Sequence, residues 1–152
     1  MAAKKKRLPV VFDTNVFIAN YLSTNPKSPN VVTVRLWRER KLQLIVSDEI
    51  ADEYIDVLNL LGISENLIAN FTTSLDESST DTRVNLGKRF TDSRDPKDNP
   101  FLSTAAAGRT KFLVTNDSDL LDIPESAKRK FKFRILTPKA FLKIYFEHFA
   151  IQ

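Results

Sequence analysis

Short apolar runs alternate along the chain with segments in which apolar residues recur at helical spacing. The runs that read as strands occupy residues 8–12, 42–46, 111–114 and 131–136, with residues 82–86 as a further short candidate. The helical patterns lie at residues 16–22, 29–41, 48–61, 64–75, 100–108 and 138–146. Runs of this length bounded by polar residues predict buried strands, and the longer periodic segments predict amphipathic helices.

Several helices also carry recognisable start signals. Ser28 precedes Pro29, a residue that suits the first helical position, and Ser47 and Ser64 stand before two other periodic segments. Because strands alternate with helices, we expect one α/β domain over residues 8–152, with a mainly parallel sheet covered by helices on both faces. The chain contains no internal repeat and no sign of a second domain.

Composition restricts the chemistry that the domain can perform. The chain of 152 residues has 42% hydrophobic residues, which is enough for one core, but no cysteine and a single histidine, His148. A thiol nucleophile and a zinc site built from Cys or His are therefore excluded, and any bound metal would need oxygen ligands. No apolar run approaches the roughly 18 residues of a membrane helix, which favours the cytoplasm.

Charged residues are segregated along the chain. The four basic residues from Lys4 to Arg7 account for the whole net charge of +4. We interpret residues 1–7 as a basic, flexible arm. Residues 126–146 contain seven basic residues and no acid, whereas five acids crowd residues 48–56. These segments are either solvated helix faces or a phosphate-binding surface beside an acidic site.

Two of the predicted strands end in similar polar triplets. Asp13, Thr14 and Asn15 follow the first strand, and residues 115–117, with Asp117 last, follow the strand at 111–114. The carboxyl ends of neighbouring parallel strands border one crevice, so both aspartates would be delivered to it. The alternative is that Asp13 and Asp117 only cap the helices or turns that follow them.

Glu53 and Asp98 stand out by their helical faces. Glu53 follows Ile50 by three residues and precedes Val57 by four, so it lies nearest the apolar stripe among the acids of its helix. Asp98 falls in line with the apolar positions of residues 101–105, although an acid rarely faces a core unless it is paired or metal-bound. The alternatives are an edge residue for Glu53 and a helix cap for Asp98.

Four carboxylates in one crevice would need a cation. Like charges at close range raise each other's pKa, so a stable ionised cluster requires neutralisation. With oxygen ligands alone, the chemistry favours Mg²⁺ or Mn²⁺ over zinc. Such a site can polarise a phosphodiester and lower the pKa of a bound water molecule.

Four stretches resemble the PIN-domain family, particularly its small prokaryotic members of the toxin-antitoxin ribonuclease type. They are residues 10–18 (VVFDTNVFI), 46–54 (VSDEIADEY), 95–102 (DPKDNPFL) and 112–121 (FLVTNDSDLL). One such motif is weakly specific, but four in this order over most of the chain are strongly so. The resemblance implies a three-layer α/β/α sandwich and a metal-dependent nuclease.

The resemblance also implies roles for individual residues. The acidic site of the family falls on Asp13, Glu53, Asp98 and Asp117, as catalytic residues and ligands of Mg²⁺ or Mn²⁺. The positions that support it fall on Asn15, Thr115, Asn116 and Asp119. Asp95 precedes the third motif and is assigned to the turn before Pro96.

The expected function is hydrolysis of phosphodiester bonds in single-stranded RNA, with a toxin of a toxin-antitoxin pair as the biological setting. The protein partners considered are an antitoxin and a second copy of the chain. A catalytically silent binding or assembly module with the same fold is the principal alternative. A phosphohydrolase of the haloacid dehalogenase kind fits less well, because that family has a second Asp where this chain has Asn15.

Overall fold

The computed structural model describes residues 7–150. Within this range five strands form one sheet: β1 (Leu8–Phe12), β2 (Leu42–Val46), β3 (Asp81–Arg83), β4 (Phe112–Val114) and β5 (Arg134–Leu136). The strand order is β3-β2-β1-β4-β5, and every neighbouring pair is parallel. The predicted parallel sheet is confirmed.

Helices surround this sheet and supply the crossovers that parallel strands require. They are α1 (Thr14–Leu22), α2 (Pro29–Arg38), α3 (Asp48–Leu60), α4 (Glu65–Leu75), α5 (Asn99–Ala107), α6 (Ser118–Leu121), α7 (Glu125–Lys128) and α8 (Pro138–His148). The consecutive residues Val10, Val11 and Phe12 are all fully buried. Since side chains alternate across a sheet, both faces of β1 must be covered, as in a three-layer α/β/α sandwich.

The order in which successive strands are added to the sheet reverses at its centre, although all strands run in the same direction. From β1 the chain moves to β2 and β3 on one side, and it then returns to β4 and β5 on the other. The reversal between β1 and β4 creates a crevice at the carboxyl ends of these strands, which is where open α/β sheets bind ligands. This position is the one that the strand-end triplets had indicated.

Element boundaries differ from expectation in places where the sequence signal is short. The last strand begins at Arg134 and not at residue 131, and the candidate strand at 82–86 lies at Asp81–Arg83. The four-residue helices α6 and α7 and a 3₁₀ turn at Pro96–Asp98 were not predicted, because such short elements show no periodicity. Ser47 and Ser64 cap their helices with their side chains, whereas Ser28 does not.

Arg7 belongs to the folded domain. Residues 1–6 of the predicted basic arm lie outside the described residues. The Arg7 guanidinium donates to the carbonyl oxygens of Arg40, at 2.7 Å, and Ser79, and also to Gln43 Oε1 at 3.3 Å. The arm was predicted to include Arg7, but these contacts place that residue against β2 and the loops that precede β2 and β3. Within residues 7–150, no helix has the length and hydropathy needed to cross a membrane.

An aromatic cluster around Phe17 forms the part of the core that lies under the carboxyl edge of the sheet. The Phe17 ring centroid is 5.6 Å from that of Phe12, 5.5 Å from Trp37, and 4.8 Å from both Tyr54 and Phe71, in edge-to-face geometry. The Tyr54 hydroxyl also donates to the Phe12 carbonyl oxygen. Because Phe12 precedes Asp13 and Tyr54 follows Glu53, the same cluster fixes two of the acidic positions.

Asp81 is a further buried acid, at the start of β3, the edge strand beside β2. Trp37 Nε1 donates to its Oδ1 at 2.8 Å, while its other oxygen is buried without a hydrogen-bond partner. Burial raises the pKa of Asp81 to about 7, against the lowering effect of the Trp37 hydrogen bond and of Arg83. Ionised Asp81 is therefore unfavourable in the folded state.

We expect Asp81→Asn to flatten the pH dependence of stability. Because the folded pKa is raised, the stability associated with the neutral acid is present at low pH and is lost as pH rises through about 7. Over the shift from 3.8 to about 7, this loss of stability is on the order of 4 kcal/mol. Urea unfolding at several pH values from 4 to 8, followed by the fluorescence of the single tryptophan, measures it. An identical pH profile for the variant and the native protein would contradict this assignment.

Candidate metal centre

Asp13 begins the site at the end of β1, where the sheet delivers it to the crevice. Its backbone N–H donates to the Val114 carbonyl oxygen at 2.9 Å, so Asp13 extends the pairing between β1 and β4. Its Oδ1 accepts from Thr14 N at 2.7 Å, and its Oδ2 accepts from Thr115 Oγ1 at 2.6 Å and from Asn15 Nδ2 at 3.0 Å. Asp13 thus caps α1 and also presents a buried carboxylate to the crevice.

Asp117 reaches the same crevice from β4. Its backbone N–H donates to Thr115 Oγ1 at 2.9 Å, and its Oδ1 accepts from Asp119 N at 2.9 Å to cap α6. Thr115 is fully buried and contacts both aspartates, so one hydroxyl group sets the spacing between them. The capping alternative and the site interpretation therefore describe two functions of the same side chains.

Asp98 approaches from the segment before α5. It makes no side-chain capping bond to that helix, although it stands at the N-cap position. Its Oδ2 instead accepts from Ser93 Oγ at 3.2 Å, and the side chain is buried. The turn before it is stabilised by Asp95, whose Oδ1 accepts from Lys97 N at 3.0 Å.

These three aspartates form one compact group. Asp13, Asp98 and Asp117 each offer a carboxylate oxygen, and those oxygens all lie within 4.8 Å of one another. Burial raises the pKa of Asp13 to about 6, since its hydrogen bonds only partly offset the loss of solvation. The pKa of Asp98 is also raised, first by burial and then by the neighbouring Asp117 carboxylate.

Glu53 lies beside this group but not within it. The Thr14 hydroxyl donates to its Oε2, and Thr14 follows Asp13 directly in the chain. Burial raises the pKa of Glu53, Asp95 raises it further, and Lys97 opposes that shift. Glu53 therefore borders the crevice, facing the turn that carries Asp95 and Lys97, at the edge position that its helical face predicted.

A second acidic group was missed in the sequence. Asp95, Asp98 and Asp119 also bring carboxylate oxygens within 4.8 Å of one another. Residues three apart lie on the same side of a 3₁₀ turn, so Asp95 and Asp98 face the same way, although the sequence indicated Asp95 only as a residue of the turn before Pro96. Arg94 pairs with Asp119 at 2.9 Å and with Asp122 at 3.5 Å, at the rim of this second group.

Asn15 and Asn116 connect the strand-end loops around the crevice. Asn15 Oδ1 accepts from Asn116 N at 3.1 Å and from Asn116 Nδ2 at 3.3 Å. Asn116 Nδ2 also donates to Asn30 Oδ1 at 2.8 Å, which adds a residue from α2 that no sequence motif had indicated. These amides hold the β1 and β4 loops together, and the Asn15 amide also donates to the Asp13 carboxylate of the acidic group.

The donor set fits a hard divalent cation. Asp13, Asp98 and Asp117 supply only oxygen atoms, and in residues 7–150 no lysine or arginine forms an ion pair with any of the three. Buried carboxylates this close are normally paired or bound to a metal, because their mutual repulsion is otherwise uncompensated. Oxygen ligands favour Mg²⁺, Mn²⁺ or Ca²⁺ over zinc.

An open parallel sheet with an acidic group at its switch point is typical of the α/β domains that bind ligands at the carboxyl ends of their strands. A family model of the PIN domain matches residues 9–119, and the chain therefore belongs to the PIN-domain family, a superfamily of metal-dependent nucleases. The chain is also similar to an uncharacterised protein of Methanocaldococcus jannaschii, MJ1680. The two are 28% identical over 150 residues, which cover 92% of this chain and 93% of that protein.

We expect Mn²⁺ to stabilise the fold, and more strongly at pH 8 than at pH 6. At a metal concentration about 100 times the dissociation constant, binding contributes about 2.7 kcal/mol, or a rise in melting temperature of roughly 5 to 10 °C at this size. Since the pKa of Asp13 is raised to about 6, protons compete with the metal at low pH.

Thermal melts of the native protein and two variants check this expectation. Asp98→Asn should abolish most of the Mn²⁺-induced shift, because it removes a buried carboxylate of the group. Asp52→Asn is the matched control, since Asp52 is an exposed acid in α3, next to Glu53, and should keep the full shift. Equal shifts in the two variants would mean that Mn²⁺ binds elsewhere.

Proposed function

We propose that this chain is a Mg²⁺- or Mn²⁺-dependent ribonuclease that hydrolyses phosphodiester bonds in single-stranded RNA. The observation that supports it is the convergence of Asp13, Asp98 and Asp117 at the switch point of the sheet. A divalent cation held there would polarise the phosphodiester and lower the pKa of a water molecule, which provides a nucleophile near neutral pH.

The residues of the chain have distinct tasks in this proposal. Asp13, Asp98 and Asp117 would hold the metal, and the Thr115 hydroxyl links the Asp13 carboxylate to the backbone of Asp117. Glu53, whose carboxylate accepts from the Thr14 hydroxyl, borders the group, where it would complete the ligand set or orient a water molecule. Its raised pKa means that it can hold or release a proton at a pH above the usual range of glutamate.

The biological setting is proposed from the family resemblance. A toxin of a toxin-antitoxin pair acting in the cytoplasm, with an antitoxin and a second copy of the chain as partners, is consistent with a small single PIN domain. A catalytically silent binding or assembly module could lack the acids of the site. All the acids that the resemblance implied are nevertheless present in this chain. Family membership also disfavours the haloacid dehalogenase alternative.

We expect Asp98→Asn to lower Mn²⁺-dependent cleavage of an unstructured RNA by roughly 10²-fold or more, the scale on which loss of one transition-state-stabilising group acts. Asp95→Asn should keep most of the activity. Asparagine can still accept the hydrogen bond from Lys97 N that shapes the 3₁₀ turn. Metal-free stability of Asp98→Asn should hold or rise, because the ionised form of a buried acid with raised pKa is removed.

The measurement is the cleavage rate of one labelled RNA by both variants, with their metal-free melting temperatures as the fold control. If Asp95→Asn is inactive and Asp98→Asn is active, Asp98 is not a ligand, and cleavage depends on Asp95 in its place. If both variants cleave at the native rate, the nuclease site does not lie in this crevice.

A further inference from the structure

Two lysine side chains converge on the ring of Phe90, outside the acidic site. Phe90 lies in the irregular segment between β3 and the 3₁₀ turn at Pro96–Asp98. Lys88 Nζ is 5.4 Å from the ring centroid, and Lys130 Nζ is 5.6 Å from it. Lys130 Nζ is also 5.9 Å from the centroid of Phe131, whose ring packs edge-to-face against Phe90. Attraction to the ring faces thus gathers two like charges that would otherwise separate.

The positive charge of this pair is only partly neutralised. Asp92 Oδ1 lies 2.6 Å from Lys130 Nζ, whereas no acid in residues 7–150 forms an ion pair with Lys88. The neighbouring Arg89 is already engaged by Glu49, at 2.7 Å. An acid therefore pairs with only one of the two ammonium groups, and an anion that reached both of them would relieve their repulsion.

Direct contacts connect the lysine pair to the acidic site. Asp92, the partner of Lys130, is followed by Ser93, whose hydroxyl donates to Asp98 Oδ2 at 3.2 Å. The backbone N–H of Phe90 donates to Ser103 Oγ at 3.1 Å, and Ser103 lies in α5, the helix that Asp98 precedes. The lysine pair thus lies on the flank of the crevice that the 84–98 segment forms.

We propose that Lys88 and Lys130, held on the Phe90 ring, form a phosphate-binding subsite for single-stranded nucleic acid, next to the nucleotide that is cleaved. The inference rests on the proposed nuclease function, because it assigns the path of that substrate. Lysine ammonium groups bind the backbone as point charges and read no sequence. The rings of Phe90 and Phe131 position the ammonium groups, and a phosphate competes with Asp92 for Lys130.

The test is the salt dependence of binding to a labelled oligouridylate of about 12 nucleotides, measured by fluorescence anisotropy in EDTA, where metal-dependent cleavage does not occur. Removing two phosphate contacts should lower the slope of log affinity against log salt by about 1.4, from roughly 0.7 per contact. In Lys88→Gln/Lys130→Gln, the loss of affinity over a fourfold rise in salt should therefore be about sevenfold smaller than in the native protein.

A matched double variant controls for net charge. Lys41 and Lys111 are exposed residues that immediately precede β2 and β4, so they lie at the amino edge of the sheet, opposite the crevice. Lys41→Gln/Lys111→Gln should keep the native slope, and Lys88→Arg/Lys130→Arg should restore it. Since Lys130→Gln leaves the largely buried Asp92 without its partner, Lys88→Gln alone, with an expected change of about 0.7, serves if the double variant does not fold.

Cleavage of the same RNA in Mn²⁺ separates the two levels of the proposal. If the native protein cleaves and Lys88→Gln/Lys130→Gln binds with the native slope, the subsite is wrong while the nuclease function stands. If the amino-edge control loses as much slope as the lysine pair, binding follows net charge and the subsite is also wrong. If the native protein neither binds nor cleaves RNA, the proposed function fails and the subsite with it.

Discussion

The burial of the Asp13 carboxylate is the constraint on which the rest of this structure depends. A carboxylate out of water must be hydrogen-bonded or neutralised, and Asp13 receives donors from Thr14, Asn15 and Thr115. These donors come from both loops of the switch point, so the cost of burying one charge fixes the geometry between β1 and β4. The hydrogen bonds only partly offset the desolvation, which leaves a raised pKa and a site suited to a cation.

The hydrophobic core transmits this geometry to the other acids. The Tyr54 hydroxyl contacts the last residue of β1, and its ring packs against Phe17 in α1, so α3 has little freedom to rotate about its axis. Glu53, one residue earlier, is therefore presented at the rim of the crevice. Tyr54 also packs against Phe101 in α5, the helix that Asp98 precedes. Packing around one ring thus relates three separate stretches of sequence.

Much of the fold and part of the site could be predicted because they depend on local patterns. The strands at 8–12 and 42–46 and the convergence of Asp13 and Asp117 follow from apolar runs and parallel topology. The second acidic group could not be found in this way, since it depends on a 3₁₀ turn of three residues and on Asp119 from another loop. The ion pair between Arg94 and Asp119 joins residues that are distant in sequence, so the spacing of apolar residues could not predict it.

The sequence left two interpretations of the charged segments, as solvated helix faces or as a phosphate-binding surface. In the folded domain, the residues of the basic segment differ in what their side chains contact. Lys128 donates to the Leu121 carbonyl oxygen at 2.6 Å, so part of the basic segment at 126–146 has a structural function. Lys130, two residues further along the chain, instead forms an ion pair with Asp92, in the segment between β3 and the 3₁₀ turn. Sequence proximity therefore did not determine function in this segment. Each cation acts according to the acid or carbonyl that tertiary structure places opposite it.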